Sequence, residues 1–115
     1  MFNSRRHSVP TVDVTDLAVS LAAQPEALVV DVREPHEYAA GHVPGAVSMP
    51  LSTVQVRHQE LPLDRTVHLI CQAGGRSAQA ATWLAKQGYQ VANVTGGTGA
   101  WINQGHRVVT GTRPR

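Results

Sequence analysis

Along this chain short continuous apolar runs alternate with stretches whose apolar residues recur at helical spacing. Thr11-Val12-Asp13-Val14 reads as a short strand or lead-in, and Thr15 or Asp16 then caps an amphipathic helix through Ala23, with Leu17 and Leu21 toward a core. Gln24-Pro25-Glu26 ends it. Ala27 to Val32 is a continuous apolar strand finished by Asp31, Val32 and Arg33, the pattern of a strand covered on both faces in a parallel sheet. Glu34 to Ala40 predicts a short helix stopped by Gly41. The glycines and proline of Gly41-His42-Val43-Pro44-Gly45-Ala46 make a turn into a strand at Val47-Ser48-Met49-Pro50.

Leu51 to Leu61 is a helix or turn-rich connection, and Thr66 to Ile70 is the next strand. The helix predicted from Ser77 to Gln87 buries Ala81, Leu84 and Ala85, leaves Trp83 and Lys86 outside or at an edge, and stops at Gly88. Tyr89 to Val94 is a further strand. Thr95-Gly96-Gly97-Thr98-Gly99-Ala100-Trp101 is a glycine-rich turn entering a short helix; it lacks the lysine and spacing of a P-loop. Strands alternating with helices predict an α/β domain with a mainly parallel central sheet flanked by helices.

With 115 residues and 42% hydrophobic content there is room for one domain and one core. We divide the chain into a flexible N-terminal segment (1–10), a domain (11–109) and a short, solvated basic tail (110–115). Residues 1–10 contain Arg5 and Arg6 but no apolar stretch of signal-peptide length, and no run approaches a membrane span, so a cytoplasmic protein is expected. The net charge of +2 and the scarcity of aromatic residues argue against a nucleic-acid partner. A single cysteine excludes an intrachain disulfide framework and fits a reducing compartment.

That cysteine carries the candidate chemistry. Cys71-Gln72-Ala73-Gly74-Gly75-Arg76-Ser77 stands between a predicted strand and a predicted helix. A lone cysteine at a strand end is most often a small buried hydrophobe. Here, however, two glycines permit a tight loop whose N–H groups converge, and the helix start adds unpaired N–H groups and a positive dipole end. Arg76 supplies a fixed charge and a planar fork of donors, and Ser77 a hydroxyl that can cap the helix or donate to sulfur. Each of these favours a thiolate at Cys71.

The loop resembles that of the single-domain rhodaneses, thiosulfate or persulfide sulfurtransferases with the pattern Cys-x-x-Gly-x-Arg-Ser/Thr; Cys71, Gly74, Arg76 and Ser77 match it. A second resemblance lies in Asp31-Val32-Arg33, Glu37-Tyr38 and Gly41-His42-Val43-Pro44-Gly45-Ala46, where the family pattern is Asp-x-Arg, Glu-Tyr/Phe and Gly-His-Ile-Pro-Gly-Ala. A third is Gly96-Gly97-Thr98-Gly99-Ala100-Trp101, in which the tryptophan packs as structure. Ser48 stands where the family commonly has Asn, and Gly105-His106-Arg107 departs from its Gly-Tyr/Phe-Pro ending. The likeness runs from about Val12 to Gly105 and implies a single rhodanese-like domain.

What the resemblance implies is a persulfide on Cys71, cradled by the backbone from Gln72, Ala73, Gly74 and Gly75 to Arg76 and Ser77. The partners would be a small sulfur donor and a thiophilic acceptor: cyanide, a small thiol or a protein thiol. No general base is needed if Cys71 is already ionised. The loop differs from the Cys-Gly-Ser/Ala-Gly-Val-Thr of mercaptopyruvate sulfurtransferases, which argues against that donor. Four residues separate Cys71 from Arg76, one fewer than in cysteine phosphatases, which disfavours a phosphatase or arsenate reductase. A persulfide carrier or protein-binding module with little turnover of its own is the alternative from another class.

Asp31, Arg33, Glu37 and His42 are assigned structural support rather than catalysis, since a carboxylate and an arginine two apart at a strand end lock turns through charge-assisted hydrogen bonds. His36 and His42 lack a compact ligand set, so no metal is expected, and no cofactor is implied.

Overall fold

The computed structural model describes residues 9–115. The N-terminal segment expected to be flexible lies outside the described residues up to position 8; Pro10 is already tied in, its carbonyl accepting from Asn93 N at 2.9 Å. Five strands form one sheet in the order β1-β5-β4-β2-β3, where β1 is Thr11–Val12, β2 Leu28–Asp31, β3 Val47–Ser48, β4 Val67–Ile70 and β5 Val91–Val94. Every pairing in the sheet is parallel; β4 sits centrally, its Ile70 opposite Asp31 of β2 and its Leu69 opposite Asn93 of β5. The helices are α1 (Val14–Ala23), α2 (Pro35–Ala40), α3 (Val54–Arg57), α4 (Gly75–Lys86) and α5 (Gly97–Asn103), with 3-10 turns at Leu51–Thr53 and His58–Glu60 on either side of α3.

Because strand side chains alternate in direction, the apolar runs feed two cores. Val30, Val32, Val67, Leu69 and Cys71 meet Ala80, Ala81 and Leu84 of α4 and Val54 of α3 on one face. Val29, Ile70 and Val94 meet Val14 and Leu17 of α1, Tyr38 of α2 and Trp101 of α5 on the other. The alternation that buries Leu69 therefore also sends Cys71 toward α4.

Several boundaries differ from the sequence expectation. Asp13, not Thr15 or Asp16, caps α1, its carboxylate accepting from Asp16 N at 2.8 Å; the helix starts at Val14 because that residue is fully buried against the sheet. α4 starts before Ser77, since Gly74 adopts φ 115° and turns the chain into the helix two residues early. Ser77 consequently sits inside the first turn and caps nothing. The buried stripe of α4 is Ser77, Ala80, Ala81 and Leu84, whereas Ala85 is exposed because it lies one step round the helix from that stripe. Trp83 is half-buried and packs against the α4-side core.

The tail expected to be solvated has exposed side chains but a tethered backbone. His42 and Val109 exchange two backbone hydrogen bonds, Gly111 N donates to Ala39 O at 2.8 Å, and Gly45 N donates to Pro114 O at 2.6 Å. Backbone groups bond without regard to side-chain type, which is why the polar residues of this segment did not reveal the tether. Among the described residues, no helix is long and apolar enough to cross a membrane.

Candidate active site

β4 delivers Cys71 to the carboxyl end of the sheet, where open parallel sheets place ligands. The residue is 1% exposed. Its Sγ accepts from Gly74 N at 3.1 Å and faces Ser77 Oγ at 3.3 Å. Burial pushes the thiol up, but the hydroxyl of Ser77 and the backbone N–H groups of Ser77, Gly74 and Ala73 outweigh it, so the net shift is below the usual cysteine range. The stabilisation comes from a ring of short-range donors at the start of α4.

Arg76 is aimed by a partner the loop does not contain. Its Nη1 and Nη2 donate to Glu37 Oε1 and Oε2 at 2.7 and 3.0 Å, a bidentate pair that links α4 to α2. Glu37 also accepts from Glu34 N at 3.0 Å, completing a capping box at the start of α2. Arg76, with further donors at the rear, holds the Glu37 carboxyl down at about 2, and Glu37 raises the arginine in return.

Asp31 and Arg33 form a buried pair behind the loop. Arg33 Nη2 and Nε donate to the carboxylate at 2.8 and 3.0 Å, and Arg33 N donates to the same group at 3.0 Å. The guanidinium has further tasks: Nη2 donates to Gly41 O at 2.8 Å and Nη1 to Gln72 Oε1 at 3.2 Å. Arg33 thus joins the end of β2 to the Gly41 turn and to the residue after the cysteine. His42 is buried beneath, its ring stacked on Tyr38 with centroids 3.7 Å apart and its two nitrogens facing the carbonyls of Tyr38 and Arg113 at 2.8 and 2.7 Å. Asp31, Arg33 and His42 make no contact with Sγ; Glu37 reaches the loop only through Arg76. A cleft of about 360 Å³ beside the loop is lined by Arg33, His36, Glu37, Gln72 and Ile102 among others.

Two contributors escaped the sequence reading. The start of α5 clamps the back of the loop: Thr98 N donates to Cys71 O at 2.8 Å and Gly99 N to Gln72 O at 3.0 Å. A Cβ on Gly97 would stand 2.5 Å from Cys71 O, so only glycine permits this approach. The paired glycines of 96–97 were the available signal. Asn93 is the other: its Nδ2 donates to Gly74 O at 3.3 Å, and its Oδ1 lies 2.6 Å from Ser77 Oγ. A polar residue inside the otherwise apolar run of β5 was its only mark.

Residues 14–104 match the model of the rhodanese-like domain. The chain belongs to the rhodanese-like family. It is 39% identical to a protein of Allochromatium vinosum named as a sulfurtransferase, over 88% of this chain and 95% of that one. Among solved structures it resembles a rhodanese-related protein of Thermoplasma volcanium, with a TM-score of 0.82 and 31% identity over 89% of this chain and 99% of that chain. It also resembles the human single-domain sulfurtransferase, with a TM-score of 0.74 and 29% identity over 84% of this chain and 98% of that chain. Family and relatives together support sulfur transfer as the general chemistry of this rhodanese-like domain.

Proposed function

We propose that this rhodanese-like chain is a sulfurtransferase that moves sulfane sulfur from thiosulfate or a persulfide donor to a thiophilic acceptor through a persulfide on Cys71. The observation that carries the proposal is Cys71 Sγ set against Gly74 N at 3.1 Å and Ser77 Oγ at 3.3 Å at the start of α4, which favours the thiolate and suits an anionic sulfur bound to it. With thiosulfate, the Cys71 thiolate attacks the outer sulfur, the S–S bond of thiosulfate breaks, and sulfite leaves with the bonding pair. Arg76 carries the positive charge that offsets the anionic donor. An acceptor, whether cyanide, a small thiol or a protein thiol, then attacks the outer sulfur of the persulfide and the Cys71 thiolate is restored. The four-residue spacing between Cys71 and Arg76 suits a sulfur atom better than a phosphoryl group.

The near-complete cover over Cys71 favours one further reading, a carrier that shields its persulfide from free thiols and delivers it to a single protein partner. The two are separated by comparing transfer rates to small thiols and to protein thiols.

The test is the intact mass of the reduced protein before and after thiosulfate, alongside the Cys71→Ser variant. The expected result is a gain of one sulfur atom, removed by cyanide and absent from the variant. Sulfur gain in Cys71→Ser, or none in the parent with any persulfide donor, would overturn the proposal.

A further inference from the structure

Ser77 has one hydroxyl proton and two buried acceptors within reach. Its Oγ lies 2.6 Å from Asn93 Oδ1 and 3.3 Å from Cys71 Sγ. The Asn93 amide cannot turn over to resolve the conflict, because Nδ2 donates to Gly74 O at 3.3 Å and a flip would set two carbonyl oxygens against each other. Oδ1 therefore faces Ser77 as an acceptor. Ser77 is fully buried, and Asn93 and Cys71 nearly so.

We propose that Asn93 is a positioning residue that holds the Ser77 proton away from sulfur and thereby restrains the ionisation of Cys71. The inference bears on the proposed sulfur transfer in that this thiolate is its nucleophile. In the thiol form, Sγ–H donates to Ser77 Oγ and the Ser77 hydroxyl donates to Asn93 Oδ1, so both oxygens are satisfied. When the thiol gives its proton to water, the Ser77 hydroxyl turns to the thiolate and Asn93 Oδ1 loses its donor. A buried acceptor left unpaired opposes that state. The loop N–H groups pull the other way.

The charged groups near Cys71 are already paired, and the charge of Arg76 acts with the loop N–H groups in favour of the thiolate. Arg76 of α4 is tied to Glu37 of α2, and Arg33, beyond β2, is tied to Asp31 and reaches the loop through Gln72. β5 and the turn into α5 contribute no titratable side chain from residue 93 to 101.

The experiment is the pH dependence of iodoacetamide alkylation of Cys71, followed by intact mass, in the parent, Asn93→Leu, Asn93→Asp, Ser77→Ala and the Ser77→Ala/Asn93→Leu pair, with circular dichroism to verify folding. Asn93→Leu is expected to move the midpoint to lower pH and to speed alkylation below it by about threefold to tenfold. Asn93→Asp is expected to move it to higher pH, because a carboxylate grips the Ser77 proton harder and adds negative charge. In the Ser77→Ala background, Asn93→Leu should change nothing. An upward or absent shift in Asn93→Leu, or an equal shift with and without Ser77, would overturn the proposal. Should Asn93→Leu not fold, a downward or absent shift in Asn93→Asp does so. Alkylation needs no sulfur donor, so a failure of sulfur transfer leaves these outcomes readable.

Discussion

Arg76, the second residue of α4, is held by Glu37 of α2 through two hydrogen bonds of 2.7 and 3.0 Å. The side chains are 37% and 26% exposed, so water screens the pair and its contribution to stability is below about 1 kcal/mol. Its effect is on geometry: a long side chain with several rotatable bonds is reduced to one direction.

Glu37→Gln keeps an acceptor for Glu34 N but loses the charge and one arm of the fork. Transfer from thiosulfate is expected to fall by about threefold to thirtyfold, while thermal unfolding shifts by only a few degrees. Steady-state rates with a melting curve on the same samples check this. A large loss of stability with unchanged rate would assign the pair to the fold instead.

The same pair sets a pH window. The folded-state carboxyl of Glu37, at about 2, lies below its ordinary 4.5, so its contribution is fully present above 4.5 and is lost as pH falls through 2. Urea unfolding at a series of acid pH values should show the parent losing more stability than Glu37→Gln between those limits. Equal losses would count against it.

Gly97→Ala is expected to cost about 2 to 3 kcal/mol in urea unfolding and to slow alkylation and transfer at Cys71, because its φ is 59° and the new Cβ would meet Cys71 O at 2.5 Å. Gly105→Ala is the control: φ is 83° but nothing lies within 4 Å. It carries only the backbone penalty, about 1 to 2 kcal/mol, and leaves the rates alone.

Arg33→Met removes the guanidinium that pairs with a fully buried carboxylate and leaves Asp31 only the backbone N–H of residue 33. A loss of about 3 to 5 kcal/mol is expected. Adding Asp31→Asn should recover part of it, since a neutral amide is less costly to bury unpaired than a charge. A double variant less stable than Arg33→Met in urea unfolding would refute that account.

The fold class was legible in the chain because its signals are local. The run from Ala27 to Val32 and the stretch from Val67 to Ile70 are apolar enough to be covered on both faces, and each is followed by helix-forming sequence. What blurred was where elements begin. Thr15, Asp16 and Asp13 all offer a capping oxygen, and burial of Val14 chose among them. Ser77 is an ordinary cap by composition, yet the left-handed Gly74 moved the helix start past it and freed its hydroxyl for sulfur and Asn93.

The sequence by itself determined that a strand would carry Cys71 into a glycine-rich loop at a helix mouth, since residue type, spacing and backbone freedom reside within seven consecutive positions. Only the tertiary structure decided the company that loop keeps. Glu37 is 39 residues from Arg76, Asn93 is 16 from Ser77, and Thr98 is 27 from Cys71. Such contacts depend on β4 lying between β2 and β5 and on α2 and α5 closing over the same end of the sheet. Strand order is set by the summed burial of both faces, which no short window of the chain encodes.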